Sequence, residues 1–100
     1  MGIAGINTKS PKEIIETVLD YFDLTYPQLL KRDKKRDTVY CRHILFYILF
    51  KEGKVSKTAI TNRYSISDRS TIIHAITSIQ NRIDQEPKVK EEVEMIINLL

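Results

Sequence analysis

Apolar residues recur at helical spacing along almost the whole chain. Ile14, Ile15, Val18, Leu19 and Phe22 fall three or four apart, which predicts an amphipathic helix over 11–23. Ser10 suits its N-cap, Pro11 its first position, and Glu13 the acid of a capping box. "TYPQ" (Thr25 to Gln28) repeats the device ahead of a short helix carrying Leu29 and Leu30. From Thr38 to Lys51 the chain is apolar nearly all round, as a helix buried at the centre of a fold must be. Arg42 and His43 are its polar exceptions. Gly53 marks a turn, Ser56 caps a helix holding Ala59 and Ile60, and Tyr64 to Ile66 makes a tight connection. Ser67 caps the next helix, and a last one starts near Pro87 with Val89, Val93, Ile96, Ile97 and Leu100 in one stripe. No segment alternates with the period of a strand. The expected class is all-α with about six helices, residues 10–100 forming one domain behind a loose tail, 1–9.

The segment "SDRSTIIHAI" (Ser67 to Ile76) departs from a purely structural helix. At about 100° per residue, Ile72, Ile76, Ile79 and Ile83 share a narrow arc that can face a core. Ser70, His74, Thr77 and Asn81 take the opposite side, with Thr71 and Ser78 beside them. Arg69 lies nearer the core edge but has a long reach, and Asp68 suits the positive end of the helix dipole. A short helix, a tight turn and then this helix is the layout of a helix-turn-helix, whose second helix enters the major groove N-terminus first. Arginine can grip guanine O6 and N7, and hydroxyls pair with donors or acceptors. A hydroxyl-rich first turn can equally be capping alone, and a polar face solvation alone.

Charge shifts that balance. The net charge is only +3. Residues 31–83, however, carry twelve basic and four acidic groups, whereas residues 1–30 and 84–100 are both net acidic. Such segregation favours a polyanionic partner, nucleic acid before membrane, because phosphate neutralisation supplies much of the affinity. "KRDKKRD" (Lys31 to Asp37) concentrates five of those cations.

These residues resemble a known family. "DRSTIIHAITSI" is similar to the signature of the C-terminal DNA-binding domain of the bacterial replication initiator DnaA, and "LLKRDKKRDTVYCRHILFYIL" to its basic loop and long central helix. The resemblance covers roughly Pro11 to Leu100. It implies a helix-turn-helix of the Trp-repressor-like type that binds double-stranded DNA at short asymmetric boxes. Carried over by position, Arg69, Ser70 and Thr71 would meet the major groove, with His74 DNA-facing or packing within the helix pair. Arg42 would reach the minor groove. Lys31, Arg32, Lys34, Lys35 and Arg36, with Ser67 and Lys57, would hold phosphates. Ser67 replaces the family's usual arginine, Arg69 its histidine and His43 its glutamine, so an altered box preference is expected.

Other classes are thinly supported. Cys41 is the sole cysteine, excluding an internal disulfide and a thiolate zinc site. With two histidines and no converging carboxylates, neither a metal nor another cofactor is expected. Ser67, Asp68 and His74 lie on one helix without an oxyanion loop, so no catalytic residues are assigned and the protein is not read as an enzyme. "GKVSKT" (Gly53 to Thr58) lacks the second glycine and leading strand of a phosphate loop. No stretch approaches the ~18–20 apolar residues of a membrane span, and the N-terminus is unlike a signal peptide. The expected compartment is the cytoplasm, at the nucleoid. The expected role is that of an accessory replication or transcription regulator from a bacterium, phage or mobile element, possessing no ATPase. It is read as a monomer, with a dimeric repressor and a replication-protein adaptor as rivals. The stripe from Val89 to Leu100 offers a pairing surface if the core leaves it free.

Overall fold

A computed structural model of the chain describes residues 10–30, 36–64 and 69–100. The expected tail 1–9, the basic run 31–35, and the connection and cap at 65–68 lie outside the described residues, as do the side chains of Leu30, Arg36 and Tyr64. Six helices stand among the described residues: α1 (Pro11–Phe22), α2 (Tyr26–Leu30), α3 (Arg36–Lys51), α4 (Lys57–Tyr64), α5 (Arg69–Gln85) and α6 (Pro87–Asn98). No strand occurs among them. None of these helices is long and apolar enough to cross a membrane.

Local chemistry sets the helix starts. Ser10 Oγ accepts from the Glu13 amide at 3.1 Å. At α2 the capping box is reciprocal: the Thr25 amide donates to Gln28 Oε1 at 2.8 Å, and the Gln28 amide to Thr25 Oγ1 at 3.3 Å. Ser56 Oγ accepts from the Ala59 amide at 3.1 Å and so opens α4. Each bond satisfies an amide that the helix itself leaves unpaired. Helix α3 begins at Arg36, two residues before the sequence placed it. Arginine is a good helix former, and Asp37 in the first turn complements the dipole.

Helix α3 is the axle of the fold. Cys41, Ile44, Leu45, Phe46, Ile48 and Leu49 are all at most 1% exposed. Around it pack Ile14 and Val18 of α1, Leu29 of α2, Ile60 of α4, and Ile72, Ala75, Ile76 and Ile79 of α5. Burial pushes the Cys41 thiol up to about 12, so it stays protonated as a small core side chain. Val89, Val93 and Ile96 of α6 are also buried in this core, with Leu100 packed against it. The stripe that could have served pairing is therefore consumed within the domain.

A polar pin fastens α6. Both Glu92 oxygens are engaged, one accepting from Tyr40 Oη at 2.7 Å and the other from Tyr21 Oη at 3.2 Å. The Arg82 guanidinium lies over the Tyr40 ring, 4.9 Å from its centre, and bridges to Glu86 at 3.0 Å. Helices α1, α3, α5 and α6 thus meet around one carboxylate.

The turn between α3 and α4 is built on Gly53. Its amide donates to the Ile48 carbonyl at 3.2 Å. A Cβ placed there would stand 2.8 Å from the Leu49 carbonyl oxygen and 2.8 Å from Ile14 Cδ1. The backbone oxygen cannot rotate away, so Gly53→Ala should cost about 1–3 kcal/mol through overpacking. A lowered urea midpoint with an unchanged m-value is the expected reading. An unchanged midpoint would mean that the turn shifts away from both Leu49 and Ile14 at no cost.

Candidate nucleic-acid interface

Helix α5 carries two faces along its 17 residues, a length of about 25 Å at 1.5 Å per residue. Ile72, Ala75, Ile76 and Ile79 are buried, and Ile83 is half-buried. Arg69, Ser70, Thr71, His74, Thr77 and Asn81 are exposed, and Ser78 is half-buried. Helical periodicity predicts the same division, because one apolar residue per turn is enough to fix which side meets α3. Arg69, Ser70 and Thr71 occupy the first turn, where helix amides without an intrahelical partner add partial positive charge. Arginine and hydroxyls are thus presented at an electropositive helix end, an arrangement able to bond base edges and phosphates.

Helix α4 packs against α5 and brings Lys57 to the same helix pair. The Lys57 ammonium sits over the Phe50 ring, 5.1 Å from its centre, which leaves the side chain half-buried. Lys51, at the end of α3, and Lys54, in the turn that follows, are exposed. Neither was singled out from the sequence, where the run "KEGKVSK" sets them close to Lys57. Among the cations expected to hold phosphates, Lys31, Arg32, Lys34 and Lys35 lie outside the described residues, as does Ser67. Arg36 opens α3, directly after that run.

Arg42 stands apart from the other expected contacts. It is half-buried, and its Nε and Nη2 both donate to the Leu29 carbonyl, at 3.1 and 2.8 Å. His43, its neighbour, is also half-buried. Burial, followed by the nearby His74, Arg42 and Arg82, holds the His43 imidazole below its ordinary 6.5. His43 thus lies within electrostatic reach of His74, which is exposed on α5. Spacing along one helix could not reveal this, since the two histidines meet only through the crossing of α3 and α5.

A pH dependence follows. Above 6.5, His43 is neutral whether the chain is folded or unfolded, and contributes no pH dependence. As pH falls below 6.5 the unfolded chain takes up a proton that the folded one resists, so stability is lost down to the folded pKa. The unfolding free energy should therefore fall more steeply between pH 7 and 5 in the wild type than in His43→Gln. Parallel curves from denaturant titrations at three pH values would remove His43 as a source.

Among the described residues, no three His, Cys, Asp or Glu side chains group where they could hold a metal ion. The bacterial DnaA helix-turn-helix model matches residues 11–79, which takes in α1 to α4 and the first two-thirds of α5. The chain belongs to that family. It is 25% identical over 84 residues to the chromosomal replication initiator protein DnaA of Lachnoclostridium phytofermentans, covering 84% of this chain and 18% of that protein. The initiator of Bacteroides thetaiotaomicron is 25% identical over 88 residues, covering 88% and 19%. That of Corynebacterium jeikeium is 24% identical over 84 residues, covering 84% and 14%. The chain therefore spans less than a fifth of the length of these curated relatives. The DnaA helix-turn-helix is a DNA-binding domain rather than a catalytic one.

Proposed function

We propose that this DnaA-type domain binds duplex DNA with a sequence preference of its own, reading the major groove with the first turns of α5. The observation that carries the reading is the placement of Arg69, Ser70, Thr71 and His74 in the open while Ile72, Ile76 and Ile79 hold the helix to the core. Arg69 supplies the base-specific grip and the hydroxyls supply shorter contacts. Lys57, Arg36 and the lysines and arginine of 31–35 neutralise phosphates. Arg69 and His43 stand where the family resemblance leads one to expect histidine and glutamine, which supports an altered box. The relatives are chromosomal replication initiators, which makes replication sites the first to try, with accessory control of replication or transcription as the process served.

Fluorescence anisotropy at 50 and 200 mM salt, with an initiator-box duplex and a scrambled duplex, tests this. Binding should weaken steeply with salt, by roughly 10³-fold or more if six or more phosphates are neutralised. Preference for the box supports an initiator-like head, and equal binding to both sends the search to site selection. A second reading, a protein-interaction adaptor, is favoured by Met95 and Leu99, which are 56% and 63% exposed one turn apart near the end of α6. Absence of binding to either duplex would leave that reading the better one.

A further inference from the structure

Two large apolar side chains stand in the open at the end of one helix. Met95 and Leu99 are each more than half exposed, one turn apart on α6 and its C-cap. At about 100° per residue they share an arc of roughly 60° with Glu92. Glu92 faces α1, where it accepts from the Tyr21 hydroxyl, so Met95 and Leu99 open beside α1. A groove of about 400 Å³ lies there, lined by Thr17, Asp20, Tyr21 and Leu99. A second, of about 440 Å³, continues it along α1, sharing Thr17 and Asp20 and adding Glu16, Leu19 and Leu24.

The apolar part of this surface is leucine and methionine, and its edge is acidic. Asp20 and Glu16 are exposed along α1, and Glu91 is exposed one turn before Met95. No cation is among the described residues that line either groove. Lys88, on the same arc of α6, stands two turns before Met95. That charge decides between occupants. Two-fold pairing with a second copy would set the acidic edge against itself. Duplex DNA and an anionic membrane would be repelled in the same way. The complement is an apolar stripe bordered by lysine or arginine. A helix laying such a stripe into a groove is a common mode of recognition, and methionine repacks readily around a guest.

We propose that the groove between α1 and α6 docks a basic amphipathic helix of another protein. Its apolar side chains cover Leu24, Leu99 and Met95, and its cations meet Glu16, Asp20 and Glu91. None of these residues is assigned to DNA, so the docking site goes beyond the duplex-binding reading and is tested without DNA present.

The test is fluorescence anisotropy of a labelled synthetic helix, with leucines three and four apart on one side and lysines elsewhere, titrated with the full chain. Two companion helices carry glutamate for lysine, or serine for leucine. The lysine-leucine helix should bind, and each companion should bind at least roughly tenfold more weakly. Leu99→Ser and Met95→Ser should each weaken binding by roughly three- to tenfold, the scale of one apolar side chain losing contact. Asp20→Lys should weaken it similarly and strengthen the glutamate companion, a reversal that lost apolar area alone cannot give. Asp84→Lys makes the same charge change at an exposed position of α5 and should leave both unchanged. All four positions are exposed, and an unchanged melting temperature checks that each variant is folded. Equal weakening by Asp84→Lys would reduce the attraction to net charge and overturn the proposal. Binding indifferent to both Leu99 and Met95, or no binding of the lysine-leucine helix, would overturn it as well. Sedimentation of the chain alone should show a monomer. Self-association lost in Leu99→Ser would give the groove to a second copy and overturn the proposed occupant.

Discussion

Arg69→Ala should lower affinity for the preferred duplex by about 1–3 kcal/mol, the value of one good arginine contact to a base, or roughly 5- to 150-fold. Affinity for scrambled DNA should fall far less, only by the share of one cation. The asymmetry follows from where Arg69 stands: it is exposed at the first position of α5. A matched site-selection experiment on wild type and variant is the decisive measurement. Identical selected sequences would show that Arg69 serves phosphate or solvent, and the reading head would then have to lie elsewhere on α5. Lys57→Ala makes the contrast, since a phosphate contact should weaken all sequences alike and lower the salt slope by about one.

The two faces of α5 and the core were legible in the sequence for the same reason. Helical periodicity is a local signal, so Ile72, Ile76 and Ile79 on one side and Ser70, His74 and Thr77 on the other could be assigned without knowing what they face. The caps at Ser10, Thr25 and Ser56 were legible because their partners lie three residues away. What could not be read was contact across helices. The two bonds from Arg42 to Leu29 join residues 13 apart through a turn in the chain, and a polar residue on an apolar helix looked free to leave. The hydroxyl and ring of Tyr40 are shared between Glu92 and Arg82, residues of two other helices, and no spacing along α3 announces either contact. The same blindness applied to the stripe on α6, which could have met solvent, a second copy or the core. Burial of Val89, Val93 and Ile96 decides for the core.

Ile79→Ala should have the opposite signature to Arg69→Ala. Ile79 is 0% exposed and belongs to the cluster that α5 shares with α3. Truncating it removes three carbons and leaves a cavity, at a cost of about 2–5 kcal/mol. For a domain of this size each kcal/mol shifts the melting temperature by roughly 4–8 °C, so a fall of about 10 °C or more is expected. Thr77→Ala, two residues earlier on the exposed side, should stay within about 0.5 kcal/mol of wild type. Below its melting temperature the Ile79 variant should select the same DNA sequence as the wild type, since its first turn still carries Arg69, Ser70 and Thr71. If Ile79→Ala instead changed the selected sequence at full folding, the reading turn would depend on packing two turns away, and the two faces of α5 could not be treated as separate parts. Anchoring and reading are divided between the faces only if stability and selectivity move independently in these variants.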